Sequence, residues 1–200
     1  MTCPPADLLA GTDWRLGLPV LRNDRVLLRE PELADAPVIF RELCVPEVCA
    51  YVPPPPTEVA GVERMISRSI ERRNAGQAFL YGVQPADGEE LAGILQFVSS
   101  RDDAGSPPAH PVWELGFALG SRYWGAGLLG EALTMALRFA FRQVGLEAVD
   151  AWVIAENRRA NRALEKLGGV AVHRPNTQSP EGRTADFIVW TLRDAGRSGA

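Results

Sequence analysis

Apolar and polar positions alternate through residues 112–119, Val-Trp-Glu-Leu-Gly-Phe-Ala-Leu, and this two-residue period predicts a strand ending at the Gly120–Ser121 turn signal. The period then changes. Leu129, Leu133, Ala136, Leu137, Ala140, Phe141 and Val144 recur at three- and four-residue intervals, the spacing of one helix face. A further strand is expected over residues 148–155. After it, Ala160, Ala163, Leu164 and Leu167 mark the buried stripe of a helix whose natural N-cap is Asn157.

Upstream, residues 1–20 carry Pro4, Pro5, Gly11, Gly17 and Pro19 and read as an irregular arm, with Trp14 as its anchor. A first strand is predicted near residues 25–29 and a helix over 33–43. The prolines at 53–56 form a stiff extended connector, and a second helix capped by Thr57 runs to about Asn74, with Gly76 just past its end. Residues 77–84 and 90–99 flank Pro85-Ala-Asp-Gly88, the turn chemistry of an antiparallel hairpin. A polar loop spans 100–111, and two last strands are expected near 170–173 and 184–192. The resulting order, β-αα-βββ-α-β-α-ββ, predicts an α+β fold around a mostly antiparallel central sheet flanked by helices. The expected division is an N-terminal arm (1–20), one domain (21–194) and a flexible tail (195–200).

Between the alternating strand and the helix that follows it lies Arg122-Tyr-Trp-Gly125-Ala-Gly127-Leu-Leu-Gly130. A helix start leaves N–H groups without partners and concentrates partial positive charge, and glycines there let a pyrophosphate approach closely. The turn has no Gly-Lys-Ser/Thr ending, which argues against triphosphate hydrolysis. Gly125, Gly127 and Gly130 do satisfy G-x-G-x-x-G. The acidic residue a dinucleotide site requires about twenty positions on would be Asp150, which falls inside a strand rather than at its end.

With Asn157-Arg-Arg-Ala160-Asn161-Arg-Ala-Leu164-Glu-Lys-Leu167-Gly168, the turn resembles the GNAT acetyltransferase superfamily, whose cofactor loop [QR]-x-x-G-x-[GA] is filled by Arg122, Gly125 and Gly127. Residues 25–29 (Arg-Val-Leu-Leu-Arg), 45–48 (Val-Pro-Glu-Val), Gly93-Ile94 and 114–117 (Glu-Leu-Gly-Phe) resemble the RimJ/RimL branch, so the likeness spans roughly residues 20–192. It implies an acetyl-CoA-dependent N-acetyltransferase in which two parallel central strands, 112–119 and 148–155, splay apart to admit the pantetheine arm. The backbone of Trp124, Gly125, Ala126, Gly127, Leu128 and Leu129 would cradle the pyrophosphate, with Arg122 adding charge, and Phe117, Ala118 and Leu119 would line the arm. Asn157 either caps its helix alone or also contacts the pantetheine or substrate amide, and Asn161 would face the adenosine.

Attack on a thioester needs a neutral amine, hence a base or a site that strips the ammonium of water. Glu114 is the candidate base, acting through a bridging water. Its other reading is a salt bridge or a contact on the sheet's outer face. A strand N–H near residues 115–117 would support the charge on the attacked carbonyl. Tyr51, in the connector 47–56, is the candidate acceptor-binding residue. Two positions depart from the family: Leu164 stands where many members carry a thiolate-protonating tyrosine, and Gly169 where an aromatic residue is usual.

Composition is compatible with this picture: 200 residues, 46% hydrophobic and 23% charged, suffice for one core. A net charge of −4 disfavours nucleic acid and suits a cationic amine. Cys3, Cys44 and Cys49 lack metal spacing, and neither Cys44 nor Cys49 has a His nearby in sequence, so no metal is expected and direct attack in a ternary complex is favoured over an acyl-enzyme. With no leader-like or long apolar run, the expectation is a cytoplasmic monomer or homodimer without a membrane partner, acting on a protein N-terminus or a small-molecule amine. The alternative is a non-catalytic acyl-CoA-binding sensor.

Overall fold

The computed structural model describes residues 13–99 and 113–194; the outer arm, the loop over 100–112 and the tail from 195 lie outside the described residues. Eight strands form one sheet: β1 (Leu21–Arg22), β2 (Val26–Arg29), β3 (Ala78–Pro85), β4 (Gly93–Ser99), β5 (Trp113–Leu119), β6 (Ala148–Ile154), β7 (Val170–Gln178) and β8 (Thr184–Arg193). Their spatial order is β1-β2-β3-β4-β5-β6-β8-β7. Every neighbouring pair is antiparallel except β5 and β6, as the family likeness implied.

The helices are α1 (Ala36–Leu43), α2 (Pro46–Cys49), α3 (Val59–Asn74), α4 (Leu128–Phe139) and α5 (Arg158–Lys166). One sheet face buries Phe79, Phe97, Leu115 and Trp190 with α4 residues such as Leu133 and with Leu164 of α5. The other packs Leu91 and the partly buried Ile94 and Ala118 against Ile39 of α1 and Val62 and Ile66 of α3. The two faces follow the period-2 alternation of the strands. Trp14 anchors the arm as expected, its ring edge-on to Phe79 and Trp113 at 5.7 and 6.5 Å.

Several boundaries differ from the sequence reading. Helix α3 has Glu58, not Thr57, at its N-cap, in extended conformation and without a side-chain cap bond; the Glu58 carboxylate instead accepts from Arg64 at 3.1 Å. Helix α2, a single turn opened by Pro46, was not anticipated. Strand β7 continues past His173 through Pro175, with a register shift between Arg174 and Thr177. An edge strand tolerates both, because a proline there costs no ladder bond on its open side. Among the described residues no helix is long and apolar enough to cross a membrane.

Candidate active site

The parallel pairing of β5 with β6 lasts for two residue pairs, Trp113 with Val149 and Glu114 with Asp150. Beyond them β5 keeps its partner β4 out to Leu119, and β6 keeps β8 out to Ile154. The sheet is therefore split down its middle, and the β6-facing edge of β5 after Glu114 carries backbone groups that no strand pairs. A cleft of about 640 Å³ occupies this opening. Its β5 wall is Phe117, Ala118 and Leu119, and its β6 wall is Asn157 with Ala160, Ala163 and Leu167 of α5. Ala163 and Leu167, expected in a buried stripe, thus face the cleft, while Ala160 and Leu164 are buried.

The glycine turn closes one end. Gly125 (φ 82°) and Gly127 (φ 79°) adopt the left-handed conformation that L side chains rarely take. Gly127 is the N-cap of α4 and supplies no side chain to cap it. The first-turn residues Leu128, Leu129 and Gly130 line the cleft, and a Cβ placed on Gly125 or Gly130 would meet nothing within 4 Å. Open space in front of an uncapped helix start fits an anionic group held by backbone N–H donors. Trp124 lines the same wall with its indole N–H already donated to the Leu119 carbonyl at 2.8 Å.

Three predicted cofactor residues stand elsewhere. Ala126 faces away from the cleft, and its carbonyl accepts from the Arg25 guanidinium. Arg122 points behind the turn, where its Nε is 2.9 Å from the Glu42 carboxylate. Asn161 is buried beneath α5. Its amide nitrogen donates to the carbonyls of Ile154, Ala155 and Asn157, and its Oδ1 accepts from the Trp190 indole at 2.7 Å. Having spent its polar atoms on the fold, Asn161 does not reach an adenosine. Asn157 does cap α5, accepting from the Ala160 N–H at 3.2 Å, and also lines the cleft.

The sequence reading missed the cations. Arg159, Arg162 and Lys166 of α5 edge the cleft at helical spacing, Arg159 lying 4.5 Å from the Trp124 ring centre, and Arg25 flanks the far side of the turn. Their signal was the basic edge beside Ala160, Ala163 and Leu167, which was read only for its apolar stripe.

Glu114, the last β5 residue paired to β6, stands at the vertex of the split. It shares a sheet face with exposed Gly116, where a Cβ would meet nothing within 4 Å, and with Ala118 in the cleft. Burial, then the nearby carboxylates of Glu181 and Asp150, push its carboxyl up to about 7. No ion pair among the described residues offsets this, so the salt-bridge reading of Glu114 finds no partner. On the same face Asp150 accepts from the Thr191 hydroxyl at 2.6 Å, and Trp152 packs edge-on to Phe187. Tyr51 lines the cleft beside Val48 and Val52. The connector that carries it is tied to the β7–β8 hairpin by Arg183, which donates to the carbonyls of Ala50 and Val52 at 3.0 and 3.3 Å.

Both family departures have a structural counterpart. Leu164 is fully buried in the core under α5. At Gly169 a Cβ would come within 2.9 Å of the Trp190 ring, so an aromatic side chain from β8 fills the place where the family has one of its own.

The model of the acetyltransferase (GNAT) domain matches residues 25–170. The chain belongs to the GNAT acetyltransferase family. This acetyltransferase is 28% identical over 148 residues to the uncharacterized N-acetyltransferase p20 of Bacillus licheniformis, covering 74% of this chain and 80% of that one. It is 33% identical over 109 residues, 54% of either chain, to the [ribosomal protein uS5]-alanine N-acetyltransferase of Escherichia coli. The crystal structure of the ribosomal-protein-S5-alanine acetyltransferase from Vibrio fischeri superposes with a TM-score of 0.74 at 18% identity, over 90% of this chain and 100% of that one. The RimJ/RimL resemblance read from the motifs accords with these relatives.

Proposed function

We propose that this acetyltransferase moves the acetyl group of acetyl-CoA to a primary amine, a polypeptide N-terminus or a small molecule, by direct attack in a ternary complex. The observation that carries the reading is the split between β5 and β6, with an uncapped glycine helix start at its mouth and Glu114 at its vertex. The N–H groups of Gly125 and of residues 127–129, at the start of α4, hold the pyrophosphate. Arg159, Arg162 and Lys166 supply positive charge along the same edge. Asn157, with its oxygen engaged as a cap, offers its amide N–H to the pantetheine arm, which lies along the unpaired edge of β5.

At the vertex Glu114 takes a proton from the incoming ammonium through water, a role suited to a carboxyl poised near neutrality. An N–H on the open edge of β5 supports the charge that develops on the attacked carbonyl. Burial, and Cys49 beside it, push the Cys44 thiol up, which favours direct attack over an acyl-cysteine. The acceptor enters past Tyr51, under the Arg183 tie. The relative that acetylates the alanine terminus of a ribosomal protein supports a polypeptide acceptor among the amines.

The test is thiol release from acetyl-CoA over a panel of peptides and small amines. Turnover with at least one acceptor is expected. Thermal stabilisation by acetyl-CoA with no turnover on any acceptor would instead make the chain a sensor.

A further inference from the structure

Arg122, the residue that opens the cofactor-loop motif, is held by carboxylates on the side of the turn away from the cleft. Its Nε is 2.9 Å from Oε2 of Glu42, a carboxylate 8% exposed on α1, and its Nη2 is 3.6 Å from Glu90. Arg41 closes the set, donating to Glu42 at 3.0 Å and to Glu90 at 2.6 Å. The backbone has been shaped to admit this contact. A Cβ on Gly120 would meet Glu42 Oε2 at 2.9 Å, so a side chain there would push the carboxylate off the start of the turn. The Arg122 guanidinium also lies 4.7 Å from the ring centre of Tyr123, whose side chain lines the cleft. A buried carboxylate shared by two guanidiniums is a rigid geometric constraint.

We infer that Glu42 and Arg122 are positioning residues, a strut that fixes the glycine turn against α1 and so sets donor affinity without touching the donor. The inference rests on the reading that the turn holds coenzyme A. The two roles open to Arg122 predict opposite signs. As a strut, Arg122 needs Glu42, so Glu42→Gln loosens the turn and weakens binding. As a phosphate ligand, Arg122 is held back by Glu42, and Glu42→Gln frees it and tightens binding.

The experiment is calorimetric titration of the full chain with coenzyme A, together with steady-state kinetics. Glu42→Gln and Arg122→Gln should each weaken binding by about tenfold, and the double variant no further, as expected for residues acting as one unit. Arg122→Lys should recover part of the loss. KM for acetyl-CoA should rise with the affinity loss while kcat at saturation stays within about twofold. Should Glu42→Gln fail to fold, Glu90→Gln, at an exposed carboxylate of the same set, should weaken binding in the same direction. Unchanged or tighter binding in Glu42→Gln or Glu90→Gln, with weaker binding in Arg122→Gln, overturns the strut. A native chain that binds no coenzyme A overturns the donor reading itself, and the strut with it.

Discussion

Glu114 is a carboxyl kept where ionisation is costly, and that cost has a measurable sign. Its ordinary value of 4.5 is raised in the fold to about 7. Between those values the folded chain holds more protons than the unfolded one, so this residue's contribution to stability falls as pH rises from 4.5 to 7 and stays lost above. Glu114→Gln should therefore melt above the native chain at pH 8, with the advantage fading toward pH 4.5 in thermal denaturation; a difference independent of pH would contradict the assignment. Asn161 is the opposite case, a polar residue consumed by the fold. Asn161→Ala removes the acceptor of the Trp190 indole and a donor to the Ala155 carbonyl, while the Ile154 and Asn157 carbonyls keep backbone donors; this should cost about 1–3 kcal/mol in denaturant unfolding. Coenzyme A affinity should be nearly unchanged, where a residue at the adenosine would lower it.

Among the elements, the glycine turn and α5 line the proposed donor site with different materials, and they are unequally legible in the sequence. The turn shows its chemistry because backbone chemistry leaves glycines behind. Gly127→Ala forces a φ of 79° on a side chain, with the Arg25 guanidinium 3.4 Å from the new Cβ. It should cost about 1–2 kcal/mol, a melting loss of several degrees, and weaken coenzyme A binding measured by calorimetry. Helix α5 was read for its cap and apolar stripe, and both hold at Asn157, Ala160 and Leu164. Its cationic edge was passed over because exposed arginines look alike until a neighbouring wall gives them a ligand to face. The motif likewise suggested a phosphate for Arg122, since its carboxylate partners lie about eighty and thirty residues away in sequence, beyond any local pattern.

Across the whole molecule, the order of elements and the parallel pair were legible from period changes and family pattern. What escaped were long-range ties between segments remote in sequence. Arg183 is the clearest: it joins the β7–β8 hairpin to carbonyls of the connector before α3, and nothing near Arg183 or Ala50 announces this. In the proposed reading this tie frames the acceptor entrance beside Tyr51. Arg183→Ala should raise KM for the amine several-fold while leaving KM for acetyl-CoA unchanged; equal shifts in both would mean a general loss of order. The central claim joins both halves of the split sheet, donor held at the glycine turn and proton withdrawn at the vertex. Its most direct test is the pH dependence of kcat/KM for acetyl transfer in the native chain and in Glu114→Gln. The account predicts a native rate that rises through about pH 7 to a plateau, and a variant slower by about 10²-fold or more that lacks this limb. A Glu114→Gln enzyme with native rate and an unaltered profile would contradict it.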